Sequence, residues 1–288
     1  MTVSRRNRLD AELVRRGLAR SRRQAAELVA AGRVRVGGQV AAKPATQVEM
    51  AAPIVLVDDD RDPGFASRGG YKLAGALAAF GPDGLIVAAR RCLDAGASTG
   101  GFTDVLLHHG AREVVAVDVG YGQLAWNIRT DPRVTTLDRT NVRDLTPELI
   151  GGPVDLVVAD LSFISLTLVL PALVGCLAPD GDLVPMVKPQ FEVGRGRVGS
   201  GGVVRDPAAR ADAVRRVADA AANLGLGTRR LAESSLPGPA GNVEYFLWLR
   251  RGAPPLVDAD LVAEVEHGHP GESSAPGTGA LVHGGTDG

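Results

Sequence analysis

Cysteine, aromatic residues and long apolar runs are all scarce in this chain, and each shortage excludes something. Only two cysteines occur in 288 residues, Cys92 and Cys176, both in apolar surroundings and without metal-ligand spacing. That rules out a disulfide framework or a zinc site and predicts two small core residues of a reduced, cytoplasmic protein with no bound metal. No apolar stretch reaches the length of a membrane span, and the arginine-rich start is not followed by the apolar segment of a signal peptide. Catalytic signatures are missing too. No Gly-x-Ser-x-Gly elbow surrounds Ser162 or Ser165, so neither reads as a hydrolase nucleophile. His267, His269 and His283 lie in a segment rich in Gly, Pro and Ser, and read as a solvated tail rather than a metal site.

What remains is the composition of a soluble globular protein, 45% hydrophobic and 23% charged, long enough for one α/β domain and a smaller partner. The formal net charge of -1 conceals an asymmetry. Residues 1–48 hold eleven Lys and Arg against Asp10, Glu12 and Glu27, whereas the segment from Ala253 onward holds six acids and no Lys or Arg. A basic module ahead of a near-neutral body points to a polyanionic partner; the bland alternative is a solvated basic face.

Within that basic module, Leu9, Leu13 and Val14 mark one helical face, with Gly17 as a left-handed stop. Ser21 and Gln24 form a capping box for a second helix over Ala25, Leu28 and Val29, ended by Gly32. Arg33-Val34-Arg35-Val36, Gly37-Gly38 and Gln39-Val40 read as a hairpin. Asp58-Asp59-Asp60, Pro63, Gly64 and Gly69-Gly70 have linker composition, and a helical pattern follows from Tyr71. Continuous apolar runs near 91–94, 114–118, 134–137, 154–159 and 183–187 predict parallel strands covered on both faces. Tyr245-Phe246-Leu247-Trp248-Leu249 is a β-rich segment that could pair at the sheet edge; if it runs antiparallel, its start lies where the parallel strands end. The predicted boundaries are 1–60, 61–70 (linker), 71–252 and a disordered tail at 253–288.

The most informative stretch is residues 92–104, where an apolar strand enters a turn with Gly96, Gly100 and Gly101 and a helix begins near Phe102. That order builds a nucleotide-type pocket at the carboxyl edge of a parallel sheet. Phe102-Thr103 stands where a Walker loop needs Lys, and Ala97-Ser98 breaks the glycine spacing of a dinucleotide fingerprint, which weakens an NAD-dependent reading. A ligand with a nucleoside and no phosphate fits, S-adenosylmethionine being the leading case. Asp118 ends the next strand, where a carboxylate can accept hydrogen bonds from ribose hydroxyls. Asp160 and Lys188 end later strands, Glu244 opens the last one, and Lys72 precedes the first. Two lysines and two acids at one strand edge suit deprotonation of a ribose 2′-hydroxyl, a poor acid that needs a general base. A lysine serves only with a lowered ammonium pKa, so the acids are expected to orient the lysines and steady a sulfonium. Tyr121 and Trp126 could stack on a base, with core packing the bland alternative.

Two resemblances sharpen this reading. Arg8-Leu9-Asp10, Gly17, Ser21-Arg22, Gly32-Arg33-Val34 and Val36-Gly37-Gly38 resemble the S4 RNA-binding domain. Six further motifs resemble the TlyA family of S4-linked ribosomal RNA 2′-O-methyltransferases, historically called haemolysins. They are Ser67-Arg68-Gly69-Gly70-Tyr71-Lys72, residues 93–104, Asp118 to Leu124, Ala159 to Ser165, Val187 to Glu192, and Asn242 to Phe246. The resemblance implies an α/β fold with a Rossmann-like class I (FtsJ-like) methyltransferase sheet and a small N-terminal α+β S4 domain. It implies Lys72, Asp160, Lys188 and Glu244 as the catalytic tetrad, with Lys188 as base. It implies S-adenosylmethionine at Asp94, Gly96, Ser98, Thr99, Gly100, Gly101, Phe102, Asp118, Asn141 and Asp160. RNA contacts are expected from Arg5, Arg6, Arg8, Arg15, Arg16, Arg20, Arg22, Arg23, Arg33 and Arg35. The implied substrate is cytidine in ribosomal RNA within ribosomal subunits, in both 16S and 23S RNA, with no DNA or membrane partner. Two positions depart from the family pattern: Asp62-Pro63-Gly64-Phe65-Ala66 replaces a Trp-centred linker, and Asn141 stands where an Asp is usual. A membrane-damaging haemolysin is the alternative, but no alternating or amphipathic segment of spanning length supports it. An RNA-binding regulator with a degenerate enzyme domain is disfavoured because all four tetrad positions are filled.

Overall fold

A computed structural model describes residues 6–19, 21–30, 32–57 and 63–267. It divides into two compact units, residues 1–64 and 65–288. In the first unit, β1 (Arg6–Arg8) leads into α1 (Leu9–Arg15), followed by α2 (Arg22–Ala30), β2 (Val34–Val36), β3 (Gln39–Val40), β4 (Gln47–Glu49) and β5 (Ile54–Leu56). Gly17 sits at φ +72° as the left-handed stop, and the Ser21 hydroxyl accepts from the Gln24 N–H at 3.2 Å. The hairpin turns on Gly37 and Gly38, both at positive φ, which only glycine adopts without strain. Two pairings come in addition to the predicted hairpin: β1 with β4, and β5 on the other side of β2. Leu9, Leu13, Ala25, Val29 and Val34 close the small core.

Two carboxylates are buried at the base of the first helix. Glu12 accepts from Arg15 at 2.6 and 2.8 Å, Arg16 at 2.8 Å and Asn7 at 3.2 Å, and Asp10 accepts from Arg8 and Arg22. These hydrogen bonds, Arg15 first for Glu12 and Arg8 first for Asp10, hold both carboxyls well below the usual carboxylate range. A depressed folded pKa stabilises above the unfolded pKa and is lost as pH falls through the folded value. Glu12→Gln is therefore expected to lower hydrogen-exchange protection in α1 strongly at pH 7, with the difference from wild type shrinking toward pH 3.

The second unit is built on a seven-stranded sheet. Its parallel strands are β6 (Arg91–Ala95), β7 (Glu113–Val117), β8 (Val134–Leu137), β9 (Val154–Ala159) and β10 (Leu177–Val187). β11 (Leu226–Glu233) and β12 (Tyr245–Arg251) complete it in the order β11-β12-β10-β9-β6-β7-β8, with β12 antiparallel to both neighbours. Helices α3 (Arg68–Phe80), α4 (Gly101–His108), α5 (Trp126–Arg129), α6 (Leu170–Gly175), α7 (Pro189–Glu192), α8 (Pro207–Ala222) and α9 (Asp258–His267) connect or flank these strands. Two apolar clusters, one seeded by Val157, Leu183 and Val217 and the other by Leu73, Phe80 and Trp248, pack around the central strands. The strand order reverses between β6 and β9, so the crevice beyond their carboxyl ends is the topological switch point where such sheets bind ligands.

Three segments differ from expectation. Tyr245–Leu249, expected at the sheet edge, forms β12 between β10 and β11, because β11 adds a further strand outside it. Gly69 and Gly70 lie in the first turn of α3 and not in a linker. A Cβ on Gly70 would sit 2.6 Å from Phe65 and 3.1 Å from the Gly101 carbonyl, so the glycine serves close packing. The region from Ala253 is not disordered throughout. Asp258–His267 is helical because Leu261 and Val265, four residues apart, are buried, and Glu264 accepts from the Glu233 N–H at 2.6 Å. Residues 268–288, with His269 and His283, and linker residues 58–62 lie outside the described residues.

Candidate active site

β6 delivers Asp94 to the switch point, and the chain then turns through three positions of positive φ, of which only the non-glycine Ser98 is strained. Gly96 has φ +90°, Ser98 φ +48° and Gly100 φ +95°, after which Gly101 opens α4. The Gly96 and Ala97 N–H groups donate to the Val117 carbonyl at 2.9 and 3.0 Å, tying the loop to β7. A Cβ on Gly96 would collide with the Asp160 carbonyl, so the glycine loop and the loop after β9 are in direct backbone contact. Asp94 is fully buried; it accepts from the Thr103 hydroxyl at 2.6 Å, and its Oδ1 has no hydrogen-bond partner among the described residues. Burial first, with the Asp160 and Asp118 carboxylates adding, pushes the Asp94 carboxyl up to about 7.

The other expected donor-site residues are arranged as follows. Asp118 accepts from the Ser98 N–H at 2.9 Å and the Gly120 N–H at 2.7 Å, bracing the glycine loop. Thr99 is exposed on that loop, whereas the Phe102 ring is buried against Phe246 at 6.0 Å, leaving its backbone at the loop. Asn141 is exposed and caps the turn at Val142–Asp144, accepting from Arg143 at 3.0 Å.

The four tetrad positions converge in two pairs. Lys72 on α3 meets Glu244 at 2.5 Å, although 172 residues separate them. Lys188, just beyond β10, meets Asp160, just beyond β9, at 2.5 Å, and donates to the Ser162 hydroxyl at 3.0 Å. The ladder explains the convergence. Pro185 pairs with Ala159, and Val187 pairs with Tyr245 of the antiparallel β12, so Lys188, Asp160 and Glu244 share one edge. The Lys72, Lys188 and Glu244 side chains are nearly inaccessible, so these groups interact in a low dielectric.

Three large aromatics stand in solvent around this edge. Phe163 is 91% exposed, Trp126 79% and Tyr121 64%, so the last two are not core residues. They follow the carboxyl ends of β9 and β7, where loops carry function. Arg139 lies 4.3 Å from the Tyr121 ring centroid, and Phe163 meets Phe191 at 5.3 Å. The glycine-rich segment 194–202 forms short turns and is pinned by Asn242, which accepts from the Val204 N–H at 2.9 Å and donates to the Gly202 carbonyl at 2.8 Å. Nothing in local sequence flags that role for Asn242.

In the first unit, several expected RNA-contact arginines carry structural duties. Arg8 and Arg22 grip Asp10, Arg15 and Arg16 grip Glu12, and Arg16 also donates to the Met50 and Ala52 carbonyls at 2.8 Å. Arg33 donates to the Val57 carbonyl and Arg35 to that of Gly38; Arg23 pairs with Glu27 and Arg6 with Glu49. Arg5 and Arg20 lie outside the described residues.

Comparison with known proteins identifies the family. Residues 65–251 match the FtsJ-like methyltransferase family and residues 7–52 the S4 domain. The chain is 61% identical, over 92% of its length and 97% of the relative's, to the 16S/23S rRNA (cytidine-2′-O)-methyltransferase TlyA of Mycobacterium tuberculosis. It is 36% identical to Hemolysin A of Brachyspira hyodysenteriae, over 83% of this chain and 98% of that one. A solved Streptococcus thermophilus protein described as a hemolysin candidate superposes with a TM-score of 0.71 at 36% identity, covering 92% of this chain and 96% of that chain. The glycine loop, the two lysine–acid pairs and these likenesses together place the chain in the TlyA family of FtsJ-like methyltransferases that carry an N-terminal S4 domain.

Proposed function

We propose that this protein methylates the 2′-hydroxyl of cytidine in ribosomal RNA of both ribosomal subunits, in the cytoplasm, with S-adenosylmethionine as methyl donor. The observation that carries the reading is Lys188, held between Asp160 and Ser162 beside a glycine loop at the switch point. The donor fits the residues present: the loop leaves no room for side chains at Gly96 and Gly100, and a buried Asp94 oxygen faces no partner among the described residues. S-adenosylmethionine supplies an electrophilic methyl group on a positively charged sulfur. The Gly96–Gly101 backbone, Asp94 and Asp118 bind and orient it. Lys188 Nζ takes the 2′-hydroxyl proton in its amine form, and Asp160 stabilises the ammonium that results. Lys72 and Glu244 form the opposite wall and hold the ribose in line, so that alignment supplies a large share of the rate. Phe163, Tyr121 and Trp126 offer faces on which unpaired bases stack. The arginines of the S4 domain bind phosphates and give the salt sensitivity of such contacts. The hemolysin names belong to the relatives that bear them, and among the described residues no helix is long and apolar enough to cross a membrane.

The test is transfer of labelled methyl groups to separated 30S and 50S subunits. Incorporation is expected into both, and none into either would refute the reading. A second expectation concerns Asp94. Its carboxyl is neutral below about 7 and anionic above, and a cationic donor favours the anion. Calorimetric Kd for S-adenosylmethionine should therefore fall as pH rises from 6 to 8. Asp94→Asn should bind on the order of tenfold more weakly at pH 8, with that pH dependence flattened. For an acid with a raised folded pKa, stability of the free protein falls as pH climbs from about 4 to 7. The same variant should lose that slope as well.

A further inference from the structure

Glu192 is buried at the end of the single-turn helix α7, whose N-cap is Lys188. Its two oxygens leave the helix and grip the neighbouring loop: Oε2 accepts from the Ser165 hydroxyl at 2.5 Å, and Oε1 from the Leu166 N–H at 2.8 Å. Ser165 in turn caps the following turn through the Thr167 N–H at 3.2 Å and lies 2.7 Å from the Thr167 hydroxyl. That loop begins at Asp160 and Ser162, the two partners of Lys188. It is thus attached to α7 at both ends, through Lys188 and through Glu192, with the Phe163–Phe191 ring contact between. Phe163 sits at φ +65°, a conformation that is strained for a bulky L-residue and persists only where the surroundings over-determine it. Burial raises the Glu192 carboxyl above its ordinary value, against the lowering influence of the Ser165 and Leu166 hydrogen bonds and of the Arg216 charge.

We propose that Glu192 is a positioning residue: it clamps the loop after β9 onto α7, so that Lys188 Nζ is held between Asp160 and Ser162. This rests on Lys188 being the proton acceptor. Glu192 itself touches no reacting atom, so a neutral isostere should serve. In Glu192→Gln the amide oxygen can accept from Leu166 N–H and the amide nitrogen can donate to Ser165, whose proton turns to Thr167.

The full chain is assayed for methyl transfer to ribosomal subunits, and separately for labelling of Lys188 by an amine-reactive ester. Glu192→Ala is expected to lower kcat on the order of 100-fold, with KM for RNA and Kd for S-adenosylmethionine within about threefold of wild type. Lys188 labelling should rise several-fold. Glu192→Gln should keep kcat within about fivefold and wild-type labelling. Ser165→Ala, a milder change that covers the case in which Glu192→Ala does not fold, should lose about tenfold in kcat. A folded Glu192→Ala with wild-type kcat, or Ser165→Ala with wild-type kcat, overturns the clamp. So does a Glu192→Gln as inactive as the alanine variant, which would make the carboxylate a reacting group. The labelling readout is independent of RNA: unchanged Lys188 reactivity in Glu192→Ala or, where that variant does not fold, in Ser165→Ala refutes the clamp. Absence of transfer by the wild type refutes only the proposed function.

Discussion

Lys188→Ala should reduce methyl transfer on the order of a thousandfold while leaving S-adenosylmethionine affinity within about threefold. The side chain is nearly inaccessible, and its Nζ is fixed by Asp160 at 2.5 Å and Ser162 at 3.0 Å, at the edge that also carries Glu244. A ribose hydroxyl gives up its proton only to a base already in place. Lys188→Arg separates the two possible duties of the residue. Arginine keeps the positive charge and can still pair with Asp160, but it does not deprotonate in a protein. An inactive Lys188→Arg of native stability therefore identifies proton acceptance as the lost function; a largely active one would mean that the cation positions substrate. Because removing one partner leaves Asp160 unpaired, the unfolding midpoint of each variant should be measured beside its rate.

Gly96→Ala should abolish donor binding, with affinity falling more than about 100-fold, because two separate costs coincide there. The backbone stands at φ +90°, where an L-residue costs about 1–2 kcal/mol. The added methyl would also run into the Asp160 carbonyl and lie 3.0 Å from Leu161, so the glycine loop and the catalytic loop must separate. Gly110→Ala supplies the comparison. Its φ is +80°, but the nearest atoms, both of Ala88, lie at 3.7 Å, an ordinary contact. That variant should lose only the conformational cost and keep wild-type affinity. Equal affinities in the two variants would show that the loop contact does not shape the donor site.

Where local chemistry dictates structure, it was legible in the residues. The Gly37-Gly38 hairpin, the Ser21 cap and the Gly96–Gly101 turn each need particular residue types at particular positions, and each forms. The pairing of Lys72 with Glu244 across 172 residues follows from no local pattern. The expected sheet, in which an antiparallel last strand would start where the parallel strands end, and the family resemblance both bring these residues to one edge. What escaped was decided by contacts made after folding. The tail composition around 258–267 resembles disorder, yet two apolar residues four apart suffice once a sheet face is there to receive them. Gly69-Gly70 resembles a linker until Phe65 fills the space a side chain would need. The basic surface of the S4 domain looked free for RNA. Charge counting does not reveal that Asp10 and Glu12 are buried and already hold four of its arginines. Glu192 carries no signal either, since its partners lie 26 and 27 residues away in a loop whose path only the fold defines.

The methyl group is expected at the ribose oxygen of cytidine in ribosomal RNA. A methyl at that oxygen blocks alkaline cleavage of the adjoining phosphodiester, because the neighbouring hydroxyl is the nucleophile of that cleavage. Both subunits should therefore be incubated with the protein and methyl-labelled S-adenosylmethionine, the RNA hydrolysed in alkali, and the labelled products separated. Label in alkali-resistant dinucleotides that begin with cytidine, lost in Lys188→Ala, is the expected result. Label in mononucleotides, which places the methyl on a base, or in dinucleotides that begin with another nucleoside, would contradict it.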